Sequence, residues 1–253
     1  MTGNGSRFLD AGFSTLKPFI KVHGTPIIEW VTRMFPGSEG DLHFICRKDH
    51  LDKLPYAKKI LYDIAPKGNI SALEQWNKQG PVCDILSVAN TLDPERPVLV
   101  CYCDFFMVWD YDQFLRLVSE KNVDGAIPCY SGFQPHFSRP KNVYASCLTN
   151  NEDNLIEIRE KFSWTEDKSK SRHSPGVYYF KSAKLMSAYF NWQVNNCPPI
   201  NNEHYVSIAY NRMVEDGLKI WCPINCDYFC QWGTPQDLGD YNFWTNSILG
   251  IKQ

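Results

Sequence analysis

The sequence has no excess of charge of either sign: 26 Lys and Arg stand against 28 Asp and Glu, a formal net charge of −2. Without a basic footprint, nucleic acid is not an expected partner. Long apolar runs are also missing. The longest, Pro97 to Trp109, contains Asp104 and is too short to span a bilayer, so no membrane association is expected. No charged-then-apolar opening of a secretory leader is seen, and the expected location is cytoplasmic. Ten cysteines are present, yet no two have Cys-x-x-Cys spacing. Structural zinc sites favour closely paired ligands, so reduced thiols of a cytoplasmic enzyme are expected instead of zinc or disulfides.

What is present is a chain of 253 residues, 43% hydrophobic, long enough for one sizeable core. Its aromatic content, 14% with 8 Trp and 13 Tyr, suits a deep pocket or a homodimer face equally well. The richest stretch comes first: Gly3-Asn4-Gly5-Ser6-Arg7-Phe8, then Lys17-Pro18. Two glycines two apart let the backbone bend tightly and leave its N–H groups bare to an anion. Arg7 adds a planar charged fork, and Lys17 returns a second cation to the same neighbourhood. Such a turn holds a polyphosphate. In an α/β nucleotide-binding fold it follows a buried strand, but here it begins at Thr2. The expectation is that the natural reading frame starts upstream or that the chain was trimmed, and that a sheet lacking that strand is poorly stable.

Along the chain, Pro26 to Phe35 reads as a helix, with Thr25 near its N-cap and apolar Ile27, Trp30, Val31 and Met34 at helical spacing. A strand is expected at 42–46, a helix at 50–54 ended by Pro55, and a further strand at 59–64. Gly68 to Leu73 and Gly80 to Leu86 read as turn-to-helix junctions. Pro97 to Phe106 reads as one continuous buried strand with Asp104 at its carboxyl end, where the crevice of an α/β sheet opens. Phe133 to Asn142 reads as a mobile loop rimming the site, and Val143–Leu148 with Leu155–Ile158 as a hairpin. Asp110-Tyr111-Asp112 has the Asp-x-Asp form of GT-A glycosyltransferases. However, Tyr111, Phe114, Leu115 and Val118 at helical spacing favour helix-capping aspartates.

Taken in order, the Gly3–Phe8 stretch, Lys17-Pro18-Phe19-Ile20-Lys21-Val22 and Gly24-Thr25-Pro26-Ile27-Ile28-Glu29 resemble the signature of the nucleotidyltransferases. These enzymes activate sugar phosphates and related acceptors with nucleoside triphosphates. The resemblance continues through Asp104, Glu160-Lys161, Gly176-Val177-Tyr178-Tyr179-Phe180 and Trp232-Gly233-Thr234-Pro235-Gln236-Asp237-Leu238. It implies a Rossmann-like mixed sheet sandwiched by helices, the GT-A-like fold, with a small inserted acceptor-binding subdomain. Residues 1–130 would form the nucleotide-binding half of one domain and 131–253 the acceptor-binding half.

By the same resemblance Thr2, Gly3, Asn4, Gly5, Ser6, Gly80 and Cys103 hold the nucleotide. Arg7 binds the β,γ-phosphates, Lys17 the α-phosphate, and Asp104 carries Mg²⁺. Glu160, Lys161, Arg172 and Gly176 line the acceptor pocket, Lys161 on the acceptor's phosphate. The base-rich loop between them implies either a more highly charged acceptor or a solvated flap. A second metal-binding aspartate often sits two residues before Gly233 in the family, where this chain has Gln231. Either Asp227 substitutes through a short backbone shift, or one carboxylate and the phosphates suffice. The Cys103-Asp104-Phe105 strand end and Gln231-Trp232-Gly233-Thr234-Pro235 most resemble capsule-locus cytidylyltransferases. That implies CTP as the NTP and a phosphorylated small molecule as acceptor.

Overall fold

The computed structural model describes residues 1–3, 5–74, 79–140 and 142–249; Asn4, one of the expected nucleotide-binding residues, lies outside them. The chain opens with a five-residue helix, α1 (Ser6–Asp10), and β1 (Lys21–Val22) and β2 (Thr25–Pro26) make a small antiparallel ribbon. α2 (Ile27–Thr32) buries Ile27, Ile28 and Val31, the helical spacing expected. It starts at Ile27 because Pro26 is held in β2 and occupies the N-cap position, which displaces Thr25 from it.

β3 (His43–Arg47) is followed by α3 (Lys48–Lys53), which ends before Pro55 as expected. Pro55 then opens a second helix, α4 (Pro55–Ile64), where a strand was expected at 59–64. Proline suits the first helical position, and Ala57 and Leu61, both 0% exposed, lie one helical turn apart. Gly68 to Leu73 also differs from expectation. It forms β4 (Asn69–Leu73), parallel to β3 from His43↔Asn69 to Arg47↔Leu73. A parallel neighbour needs a crossover, and α4 with α3 supplies it.

Next come α5 (Pro81–Leu86), β5 (Val98–Cys101), β6 (Phe105–Val108), α6 (Tyr111–Glu120) and β7 (Gly125–Ala126). The hairpin is β8 (Ser146–Thr149) with β9 (Leu155–Arg159), joined by β10 (Arg172–His173). β11 (Val177–Phe180), α7 (Ala183–Asn196), α8 (Ala209–Glu215), β12 (Ile220–Trp221), β13 (Tyr228–Gln231) and α9 (Pro235–Leu249) complete the chain. Asp110 caps α6, its Oδ1 accepting from the Gln113 amide at 2.8 Å, which is the capping role expected of it.

The central sheet runs β12-β7-β11-β5, with β12 parallel to β7 and the other pairs antiparallel. β11 is buried on both faces. Tyr178 and Phe180 pack with Met186 and Phe190 of α7 and Tyr210 and Met213 of α8, while Tyr179 meets Phe114 and Val118 of α6. Helices therefore cover both faces of one mixed sheet, as the fold class requires. Residues 98–101 and 177–180, from opposite halves of the chain, are direct partners in it.

The long strand expected at 97–106 is broken at residues 102–104. Upstream, β5 pairs with β11; downstream, β6 pairs with β13. Asp104 thus sits where the chain leaves one sheet and joins another. β3 and β5 each have a strand partner on one side only among the described residues, and both strands line one cavity. The Met1 ammonium donates to the Ile45 carbonyl of β3. The sheet is interrupted at this gap.

The described residues of the segment expected as a mobile loop, 133–140 and 142, are anchored. His136 is 6% exposed among Tyr130, Phe137, Tyr144 and Phe229, and Arg139 pairs with Asp237 at 2.5 Å. Burial, reinforced by the charges of His173, Arg139 and Lys168, lowers the His136 pKa from 6.5 to about 3. Below its ordinary pKa the unfolded chain takes up a proton that the folded protein refuses, so stability falls as the pH drops from 6.5 towards 3. The expected slope from this residue is up to ~1.4 kcal/mol per pH unit. Guanidinium unfolding at pH 7 and pH 5 should show that loss, and His136→Phe should reduce it; an unchanged slope would assign the acid sensitivity elsewhere.

Candidate active site

The amino-terminal bend, Lys17, Asp104 and the 231–234 turn meet at one place. Gly5 adopts φ 61° at the N-cap of α1, and a Cβ on it would lie 3.9 Å from the Lys17 Cβ, so the bend rests on the lysine stem. Lys17 Nζ donates to Asp104 Oδ2 at 2.7 Å and to the Gly233 carbonyl at 3.2 Å. The Trp232 amide donates to the Asp104 carbonyl at 3.1 Å, which pins that turn against the strand break. Both charged side chains are only partly exposed, 22% for Lys17 and 32% for Asp104. An ammonium has three donors; the two used here leave one free for a phosphate oxygen.

These residues open on a cavity of about 1300 Å³ lined by Thr2, Gly3, Gly5, Gly80, Cys103 and Asp104. Ligand pockets usually hold about 300–1000 Å³. The surplus arises because the same cavity continues through the gap between the β3 and β5 edges. Burial raises the Cys103 pKa, so the thiol stays protonated at the cavity wall. Thr2 Oγ1 donates to Asp84 Oδ2, and Asp84 is a buried carboxylate (8% exposed) in the first turn of α5 that also lines the cavity. Sequence reasoning passed over Asp84; its signal was a charged residue inside the apolar run Val82 to Leu86.

Gly80 lines the cavity with φ 94°, and a Cβ there would fall 2.7 Å from the His204 nitrogen. The close approach lets the Gln79 carbonyl accept from the His204 amide at 2.8 Å and the His204 carbonyl accept from the Val82 amide at 3.3 Å. Gly80→Ala should therefore displace the 203–205 backbone and cost roughly 1–3 kcal/mol, read as a lower denaturant midpoint. An unchanged midpoint would mean that the approach is relaxed in solution.

Beyond that contact lies a polar cluster. Lys161, with φ 53°, donates to the Tyr205 hydroxyl at 3.2 Å, and Tyr205 donates to Glu203 Oε2 at 2.9 Å. The Ser207 hydroxyl donates to Glu160 Oε1. Burial raises the Glu160 pKa, partly opposed by the Ser207 bond and the Lys161 charge. The Tyr205 pKa is raised by burial and by Glu203, with the Arg7 charge pulling against both. Glu203 and Tyr205 also line the cavity, so they connect the Glu160–Lys161 pair to the bend. Neither was singled out as a site residue from sequence. Arg7 is exposed on α1, next to Ser6, and has no ion-pair partner among the described residues.

Three expected site residues are placed elsewhere or otherwise employed. The register Gln231↔Phe105 to Tyr228↔Val108 sets Asp227 beyond the far end of the β6–β13 pair, about 13 Å of strand from Gln231. A short backbone shift does not bring it to Asp104. Gln231 itself is 9% exposed and donates through Nε2 to Asp237 Oδ2 at 2.7 Å, which ties the strand to α9. Asp237 also accepts from Thr234 Oγ1 at 2.6 Å while its amide donates back to that oxygen, so Thr234 caps α9. Arg172 donates to the Cys222 carbonyl at 2.7 Å and pairs with Asp153 at 2.7 Å, which employs it in the body of the fold and not in an acceptor pocket. Gly176, at φ 106°, admits the Tyr102 ring, 2.9 Å from where a Cβ would be; its part is to let that cavity-lining ring approach.

Asp104 is therefore the carboxylate held against Lys17, while Asp84 is bonded to Thr2 on the other side of the bend. A Mg²⁺ ion that arrives on a triphosphate needs one or two carboxylates, with phosphate and water oxygens completing its shell. A half-exposed Asp104 at the cavity wall fits that requirement.

No family model matches the sequence, and no curated protein matches it significantly. Solved structures do. The nucleoside-diphosphate-sugar pyrophosphorylase from Vibrio cholerae RC9 superposes with a TM-score of 0.75 at 19% identity, over 95% of this chain and 97% of that one. A UDP-glucose pyrophosphorylase complexed with UDP-glucose gives 0.72 at 15% identity, over 98% and 96%. The chain has the GT-A-like fold of the nucleotidyltransferases. Among its described residues no helix is long and apolar enough to cross a membrane.

Proposed function

We propose that this protein is a Mg²⁺-dependent nucleotidyltransferase, which moves a nucleoside monophosphate from an NTP to a phosphorylated small molecule and releases pyrophosphate. The observation that carries this reading is the Lys17–Asp104 contact of 2.7 Å beneath the Gly3–Gly5 bend, at the wall of a cavity large enough for a nucleotide. In this reading an acceptor phosphate oxygen attacks the α-phosphorus and pyrophosphate leaves. Attacker and target are both anions, so alignment and cations matter more than a general base.

Lys17 directs its free N–H to the α-phosphate, where charge grows, and its two fixed hydrogen bonds keep it aimed. Arg7, unpaired and at the edge of the bend, takes the β,γ-phosphates. Backbone N–H groups of Gly3, Gly5 and Ser6 and the Gly80 turn hold the rest of the nucleotide. Asp104 would hold Mg²⁺, which when bound would supply neutralising charge to the phosphates. Lys161, aimed by Tyr205 and Glu203, takes the acceptor phosphate.

For the substrates, the Cys103-Asp104-Phe105 and Gln231-Trp232-Gly233-Thr234-Pro235 segments support CTP as donor and L-glutamine phosphate as acceptor. The product would be CDP-L-glutamine, for phosphoramidate decoration of a capsular polysaccharide. The fold neighbours favour a second reading, in which the acceptor is a sugar 1-phosphate. Pyrophosphate release from each NTP with Mg²⁺, across sugar 1-phosphates, phosphocholine and phosphoglutamine, separates the two. Release with CTP and phosphoglutamine alone supports the first. Release with a sugar 1-phosphate supports the second. No release with any pair would leave a nucleotide-binding regulator.

A further inference from the structure

Three cysteines far apart in sequence meet in the interior. Cys129 lies beyond β7, Cys147 in β8, and Cys222 directly after β12. They are 0%, 4% and 0% exposed, and their sulfurs all lie within 4.8 Å of one another, with Cys129 and Cys147 at 3.8 Å. None lines the cavity of the candidate active site. Sequence spacing gave no hint of the cluster, since its members are brought together only where the β8–β9–β10 sheet packs on the end of the central sheet.

The geometry points to a structural site for a divalent d¹⁰ cation, with zinc as its occupant, held by the Cys129, Cys147 and Cys222 thiolates. Zinc–sulfur bonds of about 2.3 Å at tetrahedral angles put sulfurs about 3.8 Å apart. One pair already has that spacing, and the third sulfur lies within 4.8 Å of both. Soft thiolates select zinc over the hard magnesium ion of the candidate active site. Each thiol gives its proton to solvent as it binds. Three thiolates and a divalent ion leave one net negative charge. The Arg172 guanidinium stands beside it, bonded to the Cys222 carbonyl at 2.7 Å and across the strand pair from Cys147. A bound ion would tie β8 to the segments that follow β7 and β12, and because all three cysteines are buried it would enter during folding.

The test uses the full chain expressed with zinc, purified with a reductant and dialysed against EDTA. About one zinc per chain should remain by elemental analysis and leave only on unfolding. Cys147→Ser should retain about a tenth or less, whereas Cys83→Ser, outside the cluster, should retain it all. Refolding the wild type with Cd²⁺ should produce the near-ultraviolet sulfur-to-cadmium absorption, absent from Cys147→Ser. If Cys147→Ser does not fold, the wild-type zinc content and cadmium band decide. A zinc-free, reduced wild type that refolds with Cd²⁺ without that band would overturn the proposal and leave three thiols as core packing.

Discussion

Lys17→Ala is expected to lower kcat for pyrophosphate release by about 10²–10³-fold, the usual cost of losing one preorganised charged contact in a transition state. Two effects act together. The free N–H of the ammonium no longer meets the α-phosphate, and Asp104 loses the cation at 2.7 Å that compensates it beside an incoming polyanion. KM for the NTP should rise as well. The fold should survive, because both partners are partly exposed and such pairs contribute about 1 kcal/mol or less. Lys17→Arg keeps the charge but not the compact geometry that reaches both Asp104 and the Gly233 carbonyl, so it should restore only part of the rate. Steady-state pyrophosphate assays check this; wild-type turnover in Lys17→Ala would remove the lysine from the chemistry.

Asp104→Asn should cost a similar factor for a different reason, and its signature is in the metal titration. The amide oxygen can still accept from Lys17, so the local hydrogen bond is kept while the negative charge is lost. A neutral amide is a poor ligand for a hard dication, and half-maximal activity should require at least ~10-fold more Mg²⁺. The loss of kcat at saturating Mg²⁺ should still be about 10²-fold. An unchanged Mg²⁺ titration would show that Asp104 serves only to position Lys17.

Much of this site could be read from the sequence because its parts are local signals. A Gly-x-Gly bend, a cation nine residues on from the motif and a carboxylate ending an apolar strand each carry their chemistry in one short segment. The fold class came from the ordered motifs, whose resemblance to the nucleotidyltransferases implied the GT-A-like mixed sheet, while the strand and helix signals gave only an α/β alternation. Residues 59–64 and 68–73 were misread because short apolar runs do not separate strand from helix by periodicity. The crossover that makes β4 parallel to β3 decided both. Asp227 and Arg172 failed differently. Each is close in sequence to a site segment, but strand register and a partly exposed ion pair to Asp153, which are long-range facts, employ it elsewhere. Glu203 and Tyr205 were invisible because only the Gly80–His204 contact reveals what they face, whereas Asp84 stood out as a charge inside an apolar run but only the Thr2 hydroxyl shows its role.

The account stands on one triphosphate–magnesium unit being held between the Gly3–Gly5 bend, Lys17 and Asp104. A crystal structure of the protein with Mg²⁺ and a non-hydrolysable CTP analogue tests that most directly. It should show Lys17 Nζ within hydrogen-bond reach of an α-phosphate oxygen and Asp104 on the metal. A triphosphate bound elsewhere, with the Lys17–Asp104 pair untouched, would contradict it.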